Sequence, residues 1–222
     1  MAYDVFFLSY GEPNADENFA HLKAIRPNAR RVQGVDGLLA AHQECARKSF
    51  TSHFFVVDAD SQITDPTVFE YSVPSYDAQY VHLWYARNGV NDLVYGWGGL
   101  KLFPKKLMKD ATQSGVDMTT TFELKIIPKE VSTTHFNSSE YEAWRSAFRE
   151  CAKLTKGVFK AQSVEDNLAR LDVWKTRGAL RTFGQWCVAG ANDGAAYASH
   201  NDDISCVNDW QWLREEFKRR YP

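Results

Sequence analysis

Two carboxylates spaced i, i+2 close a run of strand-favouring residues at His53-Phe-Phe-Val-Val-Asp-Ala-Asp60. At the end of a strand, Asp58 and Asp60 would offer hard oxygen ligands to Mg2+ or Mn2+. Those cations favour octahedral oxygen sites, here completed by diphosphate oxygens and water. A metal held there neutralises the charge that grows on a departing diphosphate. The bland alternative is an exposed strand-end turn, with both carboxylates satisfying backbone donors. A D-x-D arises by chance about once in a chain of this length, so its meaning depends on the elements that position it.

Those elements read as a β-α-β-α-β unit. Asp4-Val-Phe-Phe-Leu-Ser-Tyr10 is a near-continuous apolar run, as expected of a strand covered on both faces. Asp16 and Glu17 open a helix with Phe19, Leu22 and Ile25 on one face and Lys23 and Arg26 near its end, a charge order that suits the helix dipole. Pro27 stops it. Arg30 to Gln33 is a short second strand, and Gly34 to Gly37 turns the chain into a helix from Leu38 to Ser49. His53 to Val57 is the third strand. The unit has no G-x-G-x-x-G loop, so a dehydrogenase-type dinucleotide fold is disfavoured. Ligands of such sheets bind beyond the carboxyl ends of the strands, where Tyr10-Gly-Glu12, Gly34 to Gly37 and Asp58 to Asp60 all fall.

Further on, Tyr80 to Ala86, Leu100 to Phe103 and Thr119 to Ile127 read as strands, and Lys105 to Lys109 as a basic helical turn. Asn137-Ser-Ser-Glu140 predicts a capping box with Asn137 as the cap, starting a helix to Leu154. A second helix follows from Val164 to Trp174. Phe183 to Ala189 reads as a strand and Gly190 to Gly194 as a loop. The last helix runs from Asn208, its predicted cap, to Arg220. The expectation is one α/β domain of 222 residues, with residues 1–100 as a nucleotide half and 101–222 as an acceptor half ending in helices.

Composition narrows the class. Hydrophobic residues make up 44% and charged residues 24%, the balance of a soluble globular protein. Net charge is −2, so a tight, sequence-independent nucleic-acid grip would need a local basic patch. Aromatics at 14%, with seven Trp, are frequent enough to place rings in a cleft. Cys45, Cys151, Cys187 and Cys206 lie far apart and read as core thiols of a reducing compartment. No window is apolar enough for a transmembrane span and the N-terminus lacks a basic n-region, so a cytoplasmic protein is expected.

Gly37-Leu-Leu-Ala-Ala-His-Gln-Glu-Cys-Ala46 followed by Phe54-Phe-Val-Val-Asp-Ala-Asp60 resembles the GT-A glycosyltransferases, whose donor helix precedes a strand ending in Asp-Ala-Asp. The resemblance implies a Rossmann-like, mostly parallel sheet with flanking helices and a C-terminal helical segment. It implies a UDP-sugar donor and Mn2+ or Mg2+. Tyr10, Gly11 and Glu12 would face the base, and Gly34 and Gly37 would let the chain pass close to the donor. Asp58 would meet ribose or metal, and Asp60 the metal. The family's Arg-Asn is His42-Gln43 here, and its Gly is Cys45. A distal His often completes the metal site in this fold, and His200 is the candidate by order, against the alternative of an exposed loop residue.

Gly96-Trp-Gly-Gly-Leu-Lys101 resembles the family's sugar-side loop, with Gly98 and Gly99 near the donor and Trp97 as a wall. The alternative is a turn between strands. The helix Tyr141 to Glu150 would occupy the acceptor position, with Arg145 and Arg149 on phosphate and Glu150 as a base for the acceptor hydroxyl, which an inverting reaction needs and a retaining one does not; the sequence does not choose between them. Its alternative is a solvated, salt-bridged face. Asp58-Ala-Asp-Ser61, Trp97 to Pro104 and Trp144 to Glu150 are loosely similar to small bacteriophage-type transferases that glycosylate hydroxymethylated pyrimidines in DNA. That likeness implies a transient DNA contact, with Lys101, Lys105, Lys106 and Lys109 tracking phosphate and Trp97 or Trp144 stacking a flipped base. A carbohydrate, protein or small-molecule acceptor, or a non-catalytic nucleotide-binding module, remains open, as does the oligomeric state.

Overall fold

The computed structural model describes residues 2–96, 99–112, 121–159 and 163–222. The chain forms two compact units, Met1–Arg87 with Val94–His135, and Asn88–Leu93 with Phe136–Pro222. The first unit thus runs past residue 100, because strands from residues 61–63 and 124–134 belong to its sheet.

The first unit opens as the pattern predicts: β1 (Asp4–Ser9), α1 (Ala15–Ile25), β2 (Arg30–Gln33), α2 (Leu38–Lys48) and β3 (His53–Asp58). It continues with β4 (Ser61–Ile63), β5 (Val81–Asn88), β6 (Val94–Tyr95), β7 (Leu100–Pro104), α3 (Lys105–Asp110) and β8 (Leu124–Thr134). Strand order is β2-β1-β3-β7-β5-β8-β4, with β6 on β5. β1 pairs in parallel with β2 and β3, the half built from crossover helices. β3 with β7, β5 with β7, β5 with β6 and β4 with β8 pair antiparallel.

Phe54, Phe55, Val56 and Val57 of β3 are fully buried, which explains a continuous rather than alternating apolar run. Phe55 and Val57 pack with Phe7 and Leu22 of α1, while Phe54 and Val56 pack with Cys45 and Ala46 of α2 and with Met108. Each such side chain contributes about 1.5–3 kcal/mol by leaving water. The strand is thereby held rigidly up to the point where Asp58 begins.

The second unit is helical: α4 (Glu140–Lys156), α5 (Val164–Thr176), α6 (Gly184–His200) and α7 (Trp210–Arg220). The Phe183–Ala189 strand and Gly190–Gly194 loop expected from sequence are instead the N-cap and the first part of α6. Gly190 and Gly194 are there for close packing: a Cβ on either would lie 2.2 Å from the carbonyl oxygen of Trp144 or Phe148 on α4. Ser139, not Asn137, caps α4 by accepting from the Glu142 amide, because Asn137 donates to the Thr182 carbonyl instead. Asp209, not Asn208, caps α7. Among the described residues no helix is long and apolar enough to cross a membrane. All four cysteines are free, and Cys45, Cys151 and Cys187 are buried.

Candidate functional site

Parallel pairing brings three loops to one edge of the sheet. Leu8 of β1 pairs with Asp58 of β3 and with Val32 of β2, so Tyr10-Gly11-Glu12, Gly34–Gly37 and Asp58–Asp60 follow the same strand ends. Glu12 turns its carboxylate back onto its own loop, accepting from the amides of Tyr10 (2.8 Å) and Gly11 (3.2 Å). The Tyr10 ring is left 61% exposed, available to stack on a planar ligand. Gly34 and Gly37 have φ of +68° and +88°, left-handed values that a side chain would strain. The Gly34 amide donates to the Ser9 carbonyl, tying the second loop to the first.

Asp58 ends β3 with its amide on the Gly99 carbonyl (3.1 Å) and its carboxylate on Lys101 Nζ (2.9 Å). Burial pushes the Asp58 carboxyl up, and the Lys101 ammonium pulls it back only in part. The two side chains differ in access: Lys101 is 8% exposed and Asp58 36%. Lys101 is therefore not a solvent-facing phosphate tracker. It stands opposite Val56 in the β3–β7 register and reaches along the same face to the carboxylate.

Asp60 is held from behind. Ser61 Oγ donates to Asp60 Oδ1 (3.3 Å) and lies 3.1 Å from Thr134 Oγ1, while the His135 amide donates to the Asp60 carbonyl (2.6 Å). Gly99 is required by this packing, since its Cβ would lie 2.5 Å from Ser61 Oγ. Thr134 carries no motif in the sequence that would tie it to this site. Thr134, at the end of β8, reaches Ser61 across 73 residues of chain, and no local pattern signals that.

The third feature of this face is His42. It is buried, its Nδ1 donates to the Leu38 carbonyl (2.8 Å), and its ring meets Phe103 edge-on at 5.1 Å. Burial first, and then the Lys101 ammonium, depress its pKa to about 3, so the imidazole is neutral. Its Nε2 has no hydrogen-bond partner among the described residues.

Two carboxylates suit a hard divalent cation, but a full octahedron needs more oxygens. Among the described residues no group of three or more His, Cys, Asp or Glu side chains gathers as a metal site. His200 is the last residue of α6, exposed, with its Nδ1 on the Ala196 carbonyl. The two carboxylates would suit only a cation that brings oxygens of its own, and Asp58 already pairs with Lys101.

The residues assigned to the acceptor in the second unit are structural. Trp144 is completely buried, packs at a tilt against Phe148 and Phe217, and donates from Nε1 to Asp193 Oδ2 (2.8 Å). It is a core anchor rather than a stacking platform. Arg145 pairs with Glu142 and lies over the Trp210 ring at 4.3 Å, while Arg149 covers the same ring at 4.8 Å. Arg149 also donates to the Val207 carbonyl and Asn208 Oδ1. Both guanidiniums clamp α7 to α4. Glu150 is 7% exposed and faces Lys153 at 3.7 Å, a buried pair on one helix, which does not suit a base for an incoming hydroxyl. Trp97 and Gly98 lie outside the described residues.

No family model and no curated protein matches the chain. Among solved structures, the mannosyltransferase PcManGT from Pyrobaculum calidifontis, in complex with GDP-Man and Mn2+, is similar over 100% of this chain and 82% of that one. Its identity is 12% and its TM-score 0.47. S. aureus TarS 1-349 is similar over 99% and 93%, with 8% identity and a TM-score of 0.41. HddC from Yersinia pseudotuberculosis is similar over 58% and 91%, with 12% identity and a TM-score of 0.42. Likenesses this distant assign no activity to the chain.

Proposed function

We propose that the protein is a metal-assisted glycosyltransferase whose first unit holds a nucleoside diphosphate sugar, UDP-linked by preference, and passes the sugar to a hydroxyl. One observation carries this: Asp58 and Asp60 stand at the carboxyl end of β3, with the Tyr10 loop and the Gly34–Gly37 turn at the same sheet edge. The exposed Tyr10 ring suits a nucleobase. Gly37 opens α2, and the first amides of a helix favour phosphate. A cation on Asp60, with Asp58, would stabilise the departing diphosphate. Glu12 orders the base-side loop, and Ser61 with Thr134 orients the Asp60 carboxylate.

Melting temperature with Mn2+ and a panel of UDP- and GDP-sugars tests the donor assignment. A rise with one nucleotide sugar that needs Mn2+ supports it, and Asp60→Ala removes that rise. Affinity for UDP that ignores Mn2+ would instead mark a non-catalytic nucleotide module.

For the acceptor we propose, from the sequence resemblance, a hydroxymethylated pyrimidine in DNA. With Lys101 turned onto Asp58 and Trp144 in a core, the basic surface left to it is on α3, where Lys106 and Lys109 are exposed. Incubation of hydroxymethylcytosine DNA with the UDP-sugar and Mn2+, then nucleoside mass analysis, decides. Transfer to a soluble sugar or peptide hydroxyl and none to DNA would replace this acceptor.

A further inference from the structure

We propose that Lys101 is the resident counter-cation of the donor site: it keeps Asp58 from a free divalent ion and yields it to a cation that arrives with a nucleoside diphosphate. The inference rests on the donor reading above and deepens it.

The register makes Lys101 part of the site. Val56 pairs with Lys101 across β3 and β7, and Phe54 pairs with Phe103, so Lys101 projects from the same sheet face as Asp58. Its stem lies beside the cluster of Phe54, Val56 and Phe103, and its ammonium meets Asp58 at 2.9 Å. Both backbones are fixed in the ladder, so the lysine changes partners by moving its side chain.

The charges then decide the order of events. Asp58 and Asp60 place two carboxylates at the end of β3, and Lys101 pairs with the first. A bare divalent ion that took Asp58 would break its 2.9 Å pair with an ammonium only 8% exposed, and breaking a pair on the buried side is costly. A metal–diphosphate complex removes that cost, because its phosphate oxygens accept from the released ammonium. Asp58 passes from ammonium to metal while the ammonium passes to phosphate. Metal and nucleotide are then thermodynamically coupled, each tightening the other. Lys101 is a positioning residue in the free protein and a phosphate ligand in the loaded one.

Mn2+ titrations followed by electron paramagnetic resonance, with and without saturating UDP, test this on the wild type, Lys101→Met, Lys101→Gln and Lys101→Arg. The wild type should bind Mn2+ at least about tenfold more tightly with UDP than without. Lys101→Met and Lys101→Gln should bind Mn2+ alone about tenfold more tightly than the wild type while losing UDP affinity, so the coupling collapses. Lys101→Arg, which keeps the charge, should preserve the wild-type pattern. A merely structural lysine would weaken both ligands together. Equal Mn2+ affinity in wild type with and without UDP overturns the proposal with no variant needed. So does unchanged Mn2+ affinity in whichever neutral variant folds. Failure of UDP and GDP to bind at all in Mn2+ would instead overturn the donor reading itself.

Discussion

The two units treat charge in opposite ways. In the first, Asp58 remains 36% exposed beside its lysine and stands at a strand end, where the sheet stops. In the second, charged groups are consumed by packing. Asp193 accepts from Trp144, Arg220 and Tyr221, and Arg145 and Arg149 both lie over the Trp210 ring. Proximity of Arg, Glu and Trp in sequence therefore marks a site in neither unit by itself. What matters is whether the fold leaves one side of a group open. On a helix buried on several faces it does not, and at the carboxyl end of a parallel strand it does.

The contrast breaks most visibly at Trp144. Trp144→Ala should cost about 3–5 kcal/mol in urea unfolding, because it empties a core and removes one of the three donors to Asp193. A stability change near zero would return Trp144 to the surface. Gly194→Ala should cost up to about 3 kcal/mol, since its new methyl meets the Phe148 carbonyl at 2.2 Å. Tolerance of alanine there would mean that α4 and α6 lie farther apart.

His42 sharpens the comparison from the other unit. Its pKa is 6.5 in the unfolded reference and about 3 in the fold, so the unfolded chain takes the proton first as pH falls. The stability carried by the neutral imidazole is whole above pH 6.5 and drains away toward pH 3. By pH 5 the loss should reach roughly 2 kcal/mol. His53 and His82, also lowered by burial, act in the same direction. Urea midpoints at pH 7.5 and 5.0 should fall less steeply for His42→Gln, and equal slopes would contradict a neutral buried imidazole. The smallest stability effect belongs to Asp60→Ala, within about 0.5 kcal/mol, although it should abolish Mn2+-dependent nucleotide binding. A large loss of stability would make Asp60 a structural carboxylate.

The β-α-β-α-β start was legible because each signal was local. Apolar runs without alternation announced β1 and β3, and Asp16, Glu17 and Pro27 bounded α1 within a residue or two. α6 was not legible. Phe183 to Ala189 has strand-like residues, and Gly190 and Gly194 look like a loop until the carbonyls of Trp144 and Phe148 are in place. The same distance in sequence hid the support of Asp60 by Thr134 and His135.

By itself, then, the sequence determined which segments could form the parallel half of the sheet and that its third strand ends in Asp58-Ala-Asp60. Period and capping are short-range, so the residues specify them without knowing the fold. Tertiary structure decided what each charge does. Lys101 joins Asp58 because β7 runs antiparallel beside β3, and Glu150, Arg145 and Arg149 serve packing because α6 and α7 close over α4. A charge takes its role from the partner and the solvent left to it, and both are set by elements far away in the chain.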